Sequence, residues 1–99
     1  MEFRVGLTDE AIADLAGIVS FVAKDSPAAA ERVGSALLEL AESLNHFPHR
    51  GAPVQGRPNM RRIFKWRFAI YYRVKDAERS VDVLRIWDGR QAPWTLRLP

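Results

Sequence analysis

Residues 68–87 read FAIYYRVKDAERSVDVLRIW, and this stretch decides the fold of the chain. Its first seven residues alternate in polarity, which is the pattern of a strand with one buried face. The apolar face of that strand carries four side chains: Phe68, Ile70, Tyr72 and Val74. The polar segment 76–80 predicts a hairpin turn, so an antiparallel strand is expected at 81–87.

The second strand of the hairpin is predicted to add Leu84 and Ile86 to the apolar face. The same alternation assigns Asp82 to that side, at the start of the strand, where we expect it to be an exposed edge residue. The other side of this strand would carry Val81, Val83, Arg85 and Trp87. The opposite face of the sheet is then expected to be open and to display Arg67, Tyr71, Arg73, Arg85 and Trp87.

Upstream of this hairpin the sequence predicts two helices and two more strands. Residues 60–66 favour a strand, and residues 46–58, with three prolines and two glycines, favour a long loop that covers a site or is mobile. Residues 2–7 alternate with Phe3, Val5 and Leu7 on one side, which indicates a short first strand.

The two helices are predicted at 9–24 and 27–45 from their caps and their apolar spacing. Thr8 is a suitable N-cap for the first helix, and Ser26 followed by Pro27 is a typical start for the second. The predicted core stripe of the first helix is Ile12, Leu15, Ala16, Val19 and Val22. The predicted stripe of the second is Ala30, Val33, Leu37, Leu40, Ala41 and Leu44.

The element order β-α-α-β-β-β predicts an α+β fold, a two-layer sandwich with a helical hairpin packed on one face of a mainly antiparallel sheet. A chain of 99 residues is expected to form a single domain, residues 1–99. The side chains expected to be mostly buried are Leu15, Val19, Val33, Leu37, Leu40, Phe68, Ile70 and Leu84.

Composition excludes several classes of protein. The chain has no run of 18 apolar residues, so no membrane helix is predicted. Its N-terminal sequence lacks the basic and apolar pattern of a signal peptide. Because the chain has no cysteine, it has no disulfide framework, thiolate metal site or cysteine nucleophile. We therefore expect a cytoplasmic protein.

Charge is divided unequally between the two halves of the chain. Residues 1–49 carry eight acidic and three basic side chains, a net charge of −5, whereas residues 50–99 carry four acidic and twelve basic ones, a net charge of +8. This asymmetry indicates a polyanion or an acidic protein as partner. Seven of the ten aromatic residues lie within 64–94, interleaved with arginines, which is typical of nucleic-acid or protein-docking surfaces.

The sequence contains no familiar catalytic or cofactor motif. Its six glycines match neither the dinucleotide nor the P-loop spacing, and no serine lies in a nucleophile elbow. His46 and His49 flank Phe47-Pro48, so no helix aligns them, and we predict no metal site and no cofactor. Asp88 is predicted either to form a salt bridge with Arg85 or Arg90 or to accept a proton.

The order of elements and several local segments resemble the RelE/ParE superfamily of bacterial toxins. The matching segments are AIADLAGIVSFV (11–22), SPAAAERV (26–33), LNHFPHRG (44–51), FAIYYRV (68–74) and VLRIWDGRQAPW (83–94). This resemblance covers almost the whole chain. It implies the toxin of a type II toxin–antitoxin module, silenced by a cognate antitoxin.

The resemblance leaves the target open. Members similar to RelE cut mRNA in the ribosomal A site, whereas members similar to ParE inhibit DNA gyrase and lack the nuclease residues. Nuclease members often have an arginine two residues before the aliphatic–Tyr pair, a histidine or basic residue at the end of the last strand, and a tyrosine near the C-terminus. Here the corresponding residues are Ala69, Asp88 and Trp94.

These departures favour inhibition of gyrase, with two alternatives: a metal-independent, ribosome-dependent endoribonuclease, or an inert module that only binds antitoxin. Whether the protein is an enzyme thus stays open. Candidate catalytic residues, if it is a nuclease, are Arg61, Arg62, Lys65, Arg85, Asp88 and Arg90. Candidate residues for binding target or antitoxin are Arg62, Arg67, Tyr71, Arg73, Arg85, Trp87, Arg90 and Trp94.

The charge pattern also predicts the kind of antitoxin. An arginine-rich surface that must be silenced needs an anionic cover, so we expect an acidic partner segment that folds on contact and forms a hetero-oligomer. The six basic residues expected to form one connected positive surface are Arg61, Arg62, Lys65, Arg73, Arg85 and Arg90.

Overall fold

The computed structural model describes residues 2–99, which contain two helices and five strands. In chain order they are β1 (Arg4–Leu7), α1 (Asp9–Ala23), α2 (Pro27–Glu42), β2 (Ala52–Pro53), β3 (Met60–Lys65), β4 (Phe68–Lys75) and β5 (Ser80–Asp88). Short 3-10 turns occupy Ser43–Asn45, Asp76–Glu78 and Pro93–Thr95. Neither helix has the length and apolar character that crossing a membrane requires, so residues 2–99 include no candidate span.

The strands form one mixed sheet in the order β1-β5-β4-β3-β2. β1 lies parallel to β5, and the other neighbouring strands are antiparallel. Both helices pack on one face of this sheet, so the predicted α+β sandwich is confirmed. Strand β2 has two residues and lies inside the predicted 46–58 loop, where the sequence predicted no strand. It pairs with Arg61 and Arg62 of β3.

Both predicted helix starts are confirmed by their capping hydrogen bonds. The Thr8 hydroxyl accepts from the backbone N–H of Ala11 at 3.2 Å, and the Ser26 hydroxyl accepts from that of Ala29 at 3.1 Å. These bonds satisfy N–H groups that have no partner inside the helix. Pro27 occupies the first helical position, where its missing N–H costs nothing.

The core lies between the helices and the sheet, and it confirms the predicted faces of α2 and β4. Leu37, Ala41 and Leu44 are fully buried against Phe68, Ile70, Tyr72 and Val74. Val33 and Leu40 are partly buried on the same side. Removal of this much apolar surface from water is the main force that holds the two layers together.

The predicted stripe of α1 is wrong in part. Ile12 is exposed, whereas Ala11 and Ile18 are buried with Leu15 packed beside them. Apolar side chains surround much of this helix, so spacing alone does not select the buried face. The buried face is the one that carries Ala11, whose small side chain lets the helix lie close to the sheet.

A β-bulge corrects the predicted faces of β5. Tyr71 lies opposite Arg85, but the next residue, Tyr72, lies opposite Val83, so Leu84 is an extra residue in β5. The shift turns Val81 and Val83 toward the helices, together with Ile86. Asp82 is therefore on the opposite face from the one predicted, where its carboxylate pairs with Lys75 at 2.9 Å.

Candidate functional site

The outer face of the sheet, the side turned away from the helices, is covered by the chain's own C-terminal tail. Ala69, Tyr71 and Trp87 form an apolar cluster on this face, against which Val54, Leu96 and Leu98 pack. Tyr71 and Trp87 each keep 8% of their surface exposed. The expectation of an open face that displays these two aromatic residues is therefore wrong.

Two arginines hold the tail in place. Arg57 donates from Nη1 to the backbone carbonyls of Leu98 and Pro99, and Arg85 donates from Nη1 to that of Arg97 at 3.0 Å. Trp94, at the start of the tail, is exposed. Of the predicted aromatic binding residues, Trp94 alone therefore presents its ring to solvent.

Arg85 is bound on its other side by Asp14 of α1. The Asp14 carboxylate accepts from Arg85 Nε at 2.8 Å and Nη2 at 3.0 Å, and also from the backbone N–H of Ile86 at 3.0 Å. The hydrogen bonds to Asp14 raise the pKa of Arg85 above its ordinary value. This predicted catalytic or binding residue thus joins α1, the edge of β5 and the tail.

Asp88 ends β5 inside a cluster of hydrogen bonds. Its carboxylate accepts from Arg67 Nε and the Arg90 backbone N–H, both at 3.0 Å, and from Arg90 Nη2 at 3.3 Å. Burial opposes the charged form, but these bonds outweigh it and hold the pKa of Asp88 below its ordinary value. Glycine at position 89 permits this turn, since a Cβ there would lie 2.8 Å from the Arg67 carbonyl oxygen.

The predicted salt bridge of Asp88 with Arg90 is confirmed, and its lowered pKa makes Asp88 a weak proton acceptor. The lowered pKa also stabilises the fold in a pH-dependent way. The contribution is complete above the unfolded-state pKa of about 3.9 and is lost as the pH falls through the lower folded-state pKa.

We expect Asp88→Asn to reduce stability at neutral pH and to show a smaller deficit at about pH 3, which is below the unfolded-state pKa of about 3.9, so that the parent has begun to lose this contribution. Denaturant midpoints measured at both pH values test this. Asp25→Asn, at an exposed residue between the helices, is the control and should match the parent throughout. An equal deficit of Asp88→Asn at both pH values would contradict the assignment.

The six predicted basic residues do not share one face of the sheet. The register of β3 and β4 places Arg62 beside Tyr71 on the outer face, with Arg73 on the same face two residue pairs away. Arg61 and Lys65 alternate with Arg62 and so point to the helix side. Arg61 donates to the carbonyls of His49 and Gly51, and the guanidinium of Arg90 lies over the ring of Phe21 in α1.

The loop before β3 is anchored to the core. The Tyr72 hydroxyl accepts from the backbone N–H of Gly51 at 2.9 Å, and burial raises the pKa of that phenol. A Cβ at position 51 would lie 2.6 Å from this hydroxyl, so the contact requires glycine. His49 pairs with Asp76 at 3.0 Å near the same loop. Within residues 2–99 no group of three or more His, Asp or Glu side chains is placed to hold a metal ion.

Two exposed aromatic residues were missed as candidates. Phe64 and Trp66 lie at the hairpin tip, which we define as residues 62–67, and are 58% and 62% exposed. Both were counted among the clustered aromatic residues of 64–94, but β3 showed no cleanly sorted faces in the sequence. The signal that could have found them is the alternation of cationic and aromatic residues in RRIFKWR.

Several solved structures of bacterial toxin–antitoxin proteins share this fold. A chain of the Pseudomonas aeruginosa chromosomal ParDE system superposes with a TM-score of 0.69 at 26% identity, covering 86% of this chain and 94% of its own length. A chain of the Mycobacterium tuberculosis RelBE2 toxin–antitoxin complex gives 0.68 at 24% identity, covering 87% and 96%. The isolated Escherichia coli RelE toxin gives 0.62 at 14% identity, covering 94% and 90%. A comparison with curated proteins finds no match.

The fold, two helices on a five-stranded mixed sheet, is thus that of the RelE/ParE toxins. The model of the family described as the ParE toxin of the type II toxin–antitoxin system parDE matches residues 5–93. The chain therefore belongs to this family, and the resemblance inferred from its sequence is confirmed.

Proposed function

We propose that this toxin is silenced by an acidic cognate antitoxin and, when free, inhibits DNA gyrase without cutting RNA. The observation that carries the proposal is the outer face of the sheet. At Ala69, where nuclease members often have arginine, the surface is apolar and covered by Leu96 and Leu98. An RNA held there would first have to displace the tail.

The ionisable groups support the same proposal. Cleavage of RNA by its own 2′-hydroxyl needs a proton acceptor next to a cationic phosphate site. Arginine stays protonated and cannot accept that proton. Asp88 is engaged by Arg67 and Arg90, and His49 pairs with Asp76 at the other end of β4, about 25 Å away at roughly 3.3 Å per residue.

The alternative of a ribosome-dependent mRNA endonuclease has one favourable observation. Arg62 and Arg73 lie on the outer face and form no ion pair within residues 2–99, so they are available to phosphate. This activity would require a proton acceptor from the ribosome. The third candidate, an inert antitoxin-binding module, predicts no effect on growth.

The proposed function is tested with purified toxin in a gyrase supercoiling assay. We expect inhibition at micromolar toxin and full recovery when the operon's antitoxin is added first. Expression in bacteria should then arrest growth with filamentation, because replication is blocked. Unaltered supercoiling, together with new cuts inside codons by primer extension, would replace gyrase with the ribosome as target.

The antitoxin is proposed to be acidic because residues 50–99 carry a net charge of +8, and because Arg62 and Arg73 on the outer face form no ion pair within residues 2–99. Carboxylate–arginine pairs give geometric specificity, and long-range attraction makes association fast and salt-sensitive. A wrapping segment recovers its ordering entropy only through a large interface, well above about 1,000 Å². An association rate unchanged by salt would contradict this proposal.

A further inference from the structure

Trp66, at the turn between β3 and β4, combines two unfavourable features. Its backbone φ is +53°, in the left-handed region that favours glycine, and 62% of the residue's surface is exposed. A bulky residue with this φ is an outlier that costs energy, and exposure of an indole gains nothing for folding. The presence of tryptophan here is thus not explained by stability.

Phe64 adds a second exposed ring at the same hairpin tip. It lies on the outer face opposite Ala69, and it is 58% exposed. The neighbouring strand β2 pairs only with Arg61 and Arg62, so it ends before reaching Phe64. The ring therefore stands at an uncovered corner of the sheet.

Each of these rings has a cation above one face. Lys65 Nζ lies 5.1 Å from the ring centre of Trp66, and Arg62 Cζ lies 5.7 Å from that of Phe64. Neither cation forms an ion pair in the part of the chain that the structure describes. The segment 60–67 contains no acidic residue.

We propose that the hairpin tip binds single-stranded DNA, with unpaired bases stacked on Trp66 and Phe64 and phosphates bound by Lys65 and Arg62. A ring that has a cation on one face and is more than half exposed still offers its other face to a base. Stacking on aromatic side chains combined with cations along the backbone is how proteins bind single strands without sequence preference. An acidic polypeptide would use the two cations but has no need of the two open rings.

This inference goes beyond the proposed function, and only the choice of DNA over RNA rests on it, since gyrase acts on DNA. Binding to an oligonucleotide needs no gyrase. If the oligonucleotide does not bind, the stacking site is refuted and gyrase inhibition is unaffected. If it binds but gyrase is not inhibited, the proposed function is refuted and the stacking site stands.

The test measures fluorescence anisotropy of a labelled oligothymidine of about 12 nucleotides at low salt. We expect Trp66→Ala and Phe64→Ala each to weaken binding by about five- to a hundredfold, the range for loss of one stacked base. Phe47→Ala, at an exposed ring after α2, is the matched control and should bind as the parent does. A duplex of the same length should bind weakly because its bases are already stacked.

A second pair of variants tests the charges. On single strands each lost phosphate contact lowers the slope of log affinity against log salt by about 0.7, and Lys65→Gln should show that change. Arg32→Gln, on the exposed surface of α2, should leave the slope unaltered. Trp66→Gly is the folding control, because glycine accepts the positive φ. Its denaturant midpoint should be no lower than that of the parent, yet it should lose binding to the oligonucleotide.

Any of four results would overturn the proposal: parent-like binding by Trp66→Ala, an equal loss in Phe47→Ala, duplex bound as tightly as single strand, or poly-glutamate competing as well as the oligonucleotide. Tighter binding of an oligouridine RNA than of the DNA would refute the choice of DNA.

Discussion

Replacing Leu37 with alanine is expected to lower the free energy of unfolding by about 2–5 kcal/mol. Leu37 is fully buried where α2 meets the sheet, so truncation removes apolar contacts and leaves a cavity that the surrounding strands cannot fill. Denaturation in urea, read by circular dichroism, measures the loss directly.

The neighbouring residue Leu38 provides a matched control. It belongs to the same helix and has the same side chain, but 41% of its surface is exposed. Leu38→Ala should cost about 1 kcal/mol or less, since less apolar area returns to water. Comparable losses in the two variants would mean that α2 is rotated relative to the packing described here.

The second large effect is expected for Asp14→Ala, which should cost about 2–3 kcal/mol. The side chains of Asp14 and Arg85 are 17% and 16% exposed, and the Asp14 carboxylate also accepts from the Ile86 N–H at the sheet edge. Truncation leaves the mostly buried guanidinium of Arg85 without its carboxylate partner and the Ile86 N–H without an acceptor. This loss is smaller than the roughly 3–5 kcal/mol typical of fully buried ion pairs because water still reaches the Asp14–Arg85 pair.

A double-mutant cycle separates the ion pair from other effects of the substitution. Combining Asp14→Ala with Arg85→Met removes both charges, so the pair should lose less than the sum of the two single variants. Asp25→Ala, at an exposed site between the helices, is expected to change stability by less than about 0.5 kcal/mol. Strict additivity in the cycle would show that Asp14 and Arg85 do not interact.

Local signals made much of the fold predictable. Thr8 and Ser26 marked helix starts because a side-chain cap depends only on residues within one turn. The stripe of α2 was readable because its opposite side is polar. The first helix was not, since Ile12 and Phe21 are as apolar as the buried Ile18 and nothing local distinguishes them.

The candidate site was less predictable because its contacts join distant residues. The bulge at Leu84 reverses the faces of half a strand, and alternation alone gives no sign of the extra residue. The Asp14–Arg85 contact spans 71 positions in the sequence. Whether the tail covers Tyr71 and Trp87 depends on the shape of the whole sheet, so their burial could not be read from their own neighbours.

The parallel pairing of β1 with β5 has a consequence for the order of events during synthesis. Arg4–Leu7 can hydrogen-bond to the sheet only after Ser80–Val83 exists, and Thr8 donates to the Leu84 carbonyl across 76 positions. Closing so long a loop has an entropic cost that only the finished sheet recovers. β1 therefore joins the sheet later than the two helices that follow it can form, and a nascent toxin cannot complete its sheet until β5 has been translated.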